Sequence, residues 1–230
     1  MFANIKTIAT VISTATLVAC GGGGGGGSTG GGTSTLSFPI QTGYRALIAN
    51  GLSKTFTVSG SCTGTGSKTA AAANTAATFE GKAAFSSVAT LIMTLAAPCN
   101  SIAQTYTSYV DTNYVPVGMN SVGVNYGVYL TAPVIPTSVK VGDTGIIGTE
   151  NLYKNSTKSV SNGTTVSSYV VTADTASTAL VNLIGKIYDA SSALTATEQD
   201  IYRIDSTGTL TPISTDILYS TGTHIVLTYN

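Results

Sequence analysis

An all-β fold, an antiparallel meander forming a sandwich or an open half-barrel with at most short helices, follows from three features of the sequence. Short runs of Thr, Val, Tyr and Ile alternate polar with apolar residues at period two, the repeat of a half-buried strand. Gly, Asn, Asp and Ser bound those runs at turn-forming positions. Charged residues make up only 9% of the 230, against about 25% in an average soluble domain, so hydroxyls must cover much of the surface.

The chain begins with a segment of another kind. Lys6 gives a short basic start, and the apolar, small-residue run TIATVISTATLVA leads to Cys20. This is the layout of a secretory signal. The run is too short and too rich in Thr and Ser to span a membrane, which takes about 20 predominantly apolar residues. Leu17-Val18-Ala19-Cys20 resembles the lipobox of bacterial lipoproteins. That resemblance covers the first 20 residues. It implies that residues 1–19 are a signal peptide and are cleaved, that Cys20 carries a diacylglyceryl group, and that its new amine is acylated. Because each buried CH₂ contributes ~0.8 kcal/mol, several acyl chains on one residue anchor stably where one holds marginally. Members of that family retained in the inner membrane typically carry Asp after the cysteine. Here Gly21 follows, which implies an outer-membrane, lipid-anchored protein.

Residues 20–35 read as the lipidated cysteine and a flexible tether. Positions 21–35 hold no Leu, Ile, Val or aromatic residue, too little apolar surface to offset the entropy of ordering. A Gly-rich coil of that length spans roughly 20 Å. A phosphate-cradling loop would need a preceding strand, a following helix and usually a Lys, and this run has none of them.

Residues 36–230 form a β-rich domain. KTFTVSG puts Phe56 and Val58 on one face and Thr55, Thr57 and Ser59 on the other. Cys62 and Cys99, an even pair in an exported chain, predict a disulfide closing a loop of about 38 residues. SKTAAAANTAATFEG favours helix through its alanines but is too short to be stable unless packed. TYTSYVD alternates again and opens a tyrosine-dense stretch with Tyr106, Tyr109, Tyr114, Tyr126 and Tyr129. Such rings either pack in the core or at its edges, or stack on a sugar or apolar ligand. Pro133 and Pro136 cannot donate to a sheet ladder and mark a crossover, with a subdivision near 133–138 as the alternative to one continuous domain.

The second half is the cleaner meander. GIIGTENLYKN, TTVSSYVVTAD, DIYRIDSTGTLTPIS and THIVLTYN are β-branched or aromatic runs. NSTKSVSNGTT reads as a hairpin connection whose tight turn uses Asn162-Gly163 for positive φ, and residues 205–208 (DSTG) form another turn. STALVNLIGKIYD fits a strand, although Leu180, Ile184 and Tyr188 also share one helical face.

Chemistry-bearing motifs are sparse. His224, the sole histidine, sits in an alternating strand, exposed or at an edge. Asp143-Thr144-Gly145 resembles the core of aspartic peptidases, yet Gly142 stands where that family has a bulky apolar residue and no second such triplet exists. Asp143 is therefore expected in a turn. The carboxylates are scattered and no metal-ligand spacing occurs, so no metal, no cofactor and no catalytic residue is expected. Without Lys6, nine basic face ten acidic side chains, a balance with no footprint for nucleic acid. The final strand carries Tyr229 one position short of the terminal aromatic common in outer-membrane barrels, but the Thr- and Ser-rich strands lack the apolar bands those barrels need.

The lipobox, the glycine run and the paired-cysteine meander together are similar to glycine-tethered envelope lipoproteins of Gram-negative bacteria, a resemblance that implies no activity. The expectation is a non-enzymatic, membrane-anchored structural, adhesive or binding module contacting envelope protein or polysaccharide. The alternative is a carrier holding a lipid or other apolar ligand in a half-barrel.

Overall fold

A computed structural model describes residues 34–230. The signal segment, Cys20 and nearly all of the glycine tether lie outside the described residues.

The described chain opens with one helix, α1 (Ile40–Asn50), and continues as thirteen strands: β1 (Leu52–Gly60), β2 (Gly64–Ala70), β3 (Thr75–Phe79), β4 (Lys82–Leu95), β5 (Ile102–Val110), β6 (Pro116–Ser121), β7 (Asn125–Tyr129), β8 (Thr144–Tyr153), β9 (Ser161–Ala173), β10 (Thr178–Tyr188), β11 (Leu194–Asp205), β12 (Leu210–Tyr219) and β13 (His224–Tyr229). All pairings are antiparallel, as the meander predicts. The sheet closes completely instead of forming a sandwich or stopping at a half-barrel. β1 pairs with β13 through Phe56↔Tyr229, and β2 pairs with β4 through Gly66↔Met93. The result is a 12-stranded ring. β3 stays outside the ring, paired with β4 alone.

Local chemistry accounts for each departure from the sequence expectations. The alanine run is not a helix: Ala70 pairs with Ala89 at the end of β2, and the Ala71 amide donates to Val88 O. Sheet partners on both sides outbid a helix too short to persist alone. The Asn162-Gly163 turn is also corrected, since both residues lie inside β9 and the connection from β8 runs through 154–160. Gly163 does adopt positive φ, at 112°, beside a register shift opposite Leu152 and Tyr153. Its glycine serves a bulge, not a turn. STALVNLIGKIYD is strand β10, and the Pro133–Pro136 segment crosses between β7 and β8, which pair directly through Gly127↔Leu152.

The barrel has two distinct ends. At one, Cys62 and Cys99 are bonded with their Cα atoms 6.0 Å apart, joining the β1–β2 turn to the β4–β5 turn. At the other, α1 lies across the lumen. Ile40, Tyr44 and Leu47 follow i, i+4, i+7 spacing, and Ile40 and Tyr44 are buried, so the helix presents one apolar face inward. Its close approach to the β11–β12 turn depends on Gly43, where a Cβ would stand 1.8 Å from Gly208 O.

Apolar packing is divided between these ends. Phe56, Met93, Ile225 and Leu227 form a cluster reaching the disulfide. Phe38, Ile40, Val181 and Ile204 form a second beneath the helix. A third lies outside the ring, where Phe79 of β3 stacks on Tyr109 and Tyr126 at 4.4 and 5.4 Å between centroids.

Candidate functional site: the barrel lumen

Strand register determines which side chains enter the lumen. Phe56 and Val58 point inward, so the alternation puts Lys54 on the same face, directly opposite Lys68 of β2. The inward row continues through Leu91 and Gln104. On β8, Glu150 faces in between Tyr129 and Thr165. On β11, Glu198 lies between Gly185 and Ile217, and Asp200 between Leu183 and Thr215. Closing the ring thus gathers two lysines and three carboxyl groups that are far apart in sequence.

The carboxyl groups are deeply buried, with Glu150 at 3%, Asp200 at 5% and Glu198 at 8% exposure. Burial pushes Glu150 up to about 8, because a low-dielectric interior disfavours its charged form. Its carboxyl lies over Gly127, where a Cβ would stand 2.3 Å from Oε1. Burial, then the neighbouring Asp200 charge, raises Glu198 well above the ordinary carboxylate range, with Lys68 opposing. Asp200 accepts a hydrogen bond from Thr215 Oγ1, which also lies 3.1 Å from the Tyr229 hydroxyl. For Lys68, burial works against the charge and the nearby Asp200 carboxylate opposes that effect, and the amine is raised above its ordinary range. Among the described residues no carboxylate oxygen lies within 4.0 Å of Lys68 Nζ or Lys54 Nζ.

Two of the voids in the packing adjoin these charged groups. The first, about 90 Å³, lies beneath α1 and is bounded by Tyr44, Lys68, Ala89, Tyr106, Glu150 and Tyr202 among others. The second, about 230 Å³, lies toward the disulfide end against Asn125, Asn162, Glu198 and Tyr219. The hydroxyls of Thr165, Ser167 and Tyr219 are buried and find no protein partner among the described residues. Leaving such a group unsatisfied costs about 1–3 kcal/mol.

The residues singled out from sequence fall elsewhere. His224 lies on the outer face, its Nε2 at 2.9 and 3.0 Å from the two Asp216 carboxylate oxygens. Asp143 accepts from the Lys140 amide at 2.8 Å, closing the turn before β8. The tyrosine-dense stretch is split by the sheet. Tyr106 and Tyr129 face the lumen, Tyr109 and Tyr126 lie under Phe79, and Tyr114 stacks on Phe85. Cys62 and Cys99 are bonded as predicted, and Cys20 lies outside the described residues. Among the described residues no group of three or more His, Cys, Asp or Glu is placed to hold a metal.

Sequence reasoning missed Lys68, Glu150, Glu198 and Asp200. One signal was available: in TATEQDIYRI, Glu198 and Asp200 share parity with Tyr202 and Ile204, the buried face of the strand.

No family model matches the chain, and no curated protein or solved structure matches it. The functional reading therefore rests on the lumen itself.

Proposed function

We propose that this protein is an envelope binding module, lipid-anchored through Cys20 to the outer membrane by its glycine tether, whose barrel lumen receives a small ligand. The observation that carries this reading is the lumen's chemistry. A barrel built only for stability would fill its interior with apolar side chains, since replacing buried ionic groups by hydrophobic ones is often neutral or stabilising. Here Lys68 and Glu150 with several phenols line one void and Glu198 lines the other, the arrangement expected where convergent polar groups orient a guest.

The outer face favours a water-exposed barrel over a membrane-spanning one. Outward positions include Lys186, Arg203, Asp216 and His224 alongside rows of Thr and Ser, and a Lys or Arg facing lipid near the midplane costs about 2–4 kcal/mol. The helix-end void, at about 90 Å³, is smaller than the ~150 Å³ cavity that admits benzene. A carrier of small molecules therefore fits it better than a carrier of acyl chains.

Native mass spectrometry of the chain extracted from membranes tests this. A bound small molecule, lost on unfolding, is the expected result. A ligand-free extract that takes up nothing would return the protein to a structural or adhesive role on its hydroxyl-rich exterior.

A further inference from the structure

We propose that the void beneath α1 is a site for a small organic anion, a short carboxylate whose head is held by Lys68 and whose apolar body lies toward Ala89 and Leu47. The assignment rests on the binding-module reading and deepens it.

Charge geometry comes first. Lys54 and Lys68 stand directly opposite each other on β1 and β2, and like charges so placed repel. Neither ammonium has a carboxylate partner within 4.0 Å among the described residues. Asp200, the acidic group that bears on Lys68, is engaged by Thr215 and does not line this void. A bound anion would supply a counter-charge in direct contact.

The rest of the lining is rich in donors. Tyr44, Tyr106 and Tyr202 line the void, and desolvation raises all three phenols, so they stay protonated. Glu150, the one carboxyl group on this wall, is pushed up to about 8 and at neutral pH offers an O–H. A lysine with phenol and carboxylic-acid donors suits an acceptor-only carboxylate. Beside them, Leu47, Ala70, Ala89 and Met119 supply apolar wall, with Ala89 next to Tyr106 across the β4–β5 ladder. That mixed lining, in about 90 Å³, matches a short carboxylate of a few carbon atoms.

The probes are butyrate, butyramide and n-butylamine, titrated calorimetrically at neutral pH into the full chain in detergent after dialysis. Butyrate should bind, with the other two at least about tenfold weaker. Lys68→Gln should lower butyrate affinity by about tenfold or more, the scale of one charge-assisted hydrogen bond. Lys186→Gln, on the outer face, should leave it unchanged. Because Lys68→Gln could also disturb folding, Ala89→Leu provides a second variant. It fills the void without touching a charge and should abolish binding while circular dichroism stays native.

Undiminished butyrate binding by either variant that retains the native fold overturns the assignment, as does equal or tighter binding of butyramide or butylamine. A neutral or cationic guest in the native extract would leave the binding module standing and overturn the anion site. Failure of butyrate to bind, together with an extract free of any guest, would overturn both.

Discussion

Glu150 carries a carboxyl group over Gly127 in a setting that favours its neutral form, and this makes the barrel's stability depend on pH in a definite direction. Its value rises from 4.5 to about 8 on folding. The folded state therefore binds the proton more tightly than the unfolded chain. The stabilisation is complete below about 4.5 and is lost as pH rises toward 8, by a few kcal/mol in all. Glu198, also raised, acts in the same sense. Glu80, held low by hydrogen bonds from Lys158 and Tyr126, and Asp174, held low by Arg203 and Thr178, lose their contributions only at acid pH. Urea midpoints measured from pH 5 to 8.5 should fall for the native chain and fall less for Glu150→Gln, which should be the more stable protein at pH 8. Parallel curves for the two would mean that Glu150 is not a buried acid.

Among the elements, the disulfide and the β3–β4 hairpin make separable contributions. The Cys62–Cys99 bond joins two turns at the end away from α1, so Cys62→Ser should lower stability by ~2–4 kcal/mol without altering butyrate binding. The hairpin is pinned from outside by Phe79 on Tyr109 and Tyr126 and by Glu80, which accepts from the Tyr126 hydroxyl at 2.7 Å and from Lys158. Ring closure runs through β2–β4 and does not need β3. Phe79→Ala should thus increase protease cleavage within 71–82 while the ring stays intact, and cleavage spread over all strands would contradict that separation. Helix α1 offers a third handle. In Gly43→Ala the methyl must push the helix away from Gly208 O, and faster hydrogen exchange at amides of the β11–β12 turn and the start of β12 would report the loosened end.

These elements were unequally legible in the sequence. β1 and β13 show their alternation openly because Phe56, Val58, Ile225 and Leu227 supply apolar inward residues. β2 does not, since Gly64, Gly66 and Lys68 occupy its inward positions and carry no apolar signal. The lumen site was hidden for the same reason. Period-two patterning reveals a polar–apolar contrast, and along β2 the inward face is as polar as the outer one. α1 was missed because Gly43 interrupts a helix of only 11 residues.

For the whole molecule, the anchor and the barrel should behave independently. Cys20→Ser should release the protein from membranes with its lumen chemistry unchanged, and sedimentation with membranes despite that substitution would refute the anchor. The described chain enters at the helix end, where Phe38 bridges Val139.

The seam of the ring bears on assembly. Phe56 on the first strand meets Tyr229 on the last, so no circle exists until nearly the entire polypeptide is available to fold. Until then β1 and β12 are bare edges, each a template for adhesion to another chain. Contacts so distant in sequence also form slowly. The open sheet needs shielding during that interval, and removing residues 224–229 should turn a monodisperse barrel into one that aggregates, as light scattering would report.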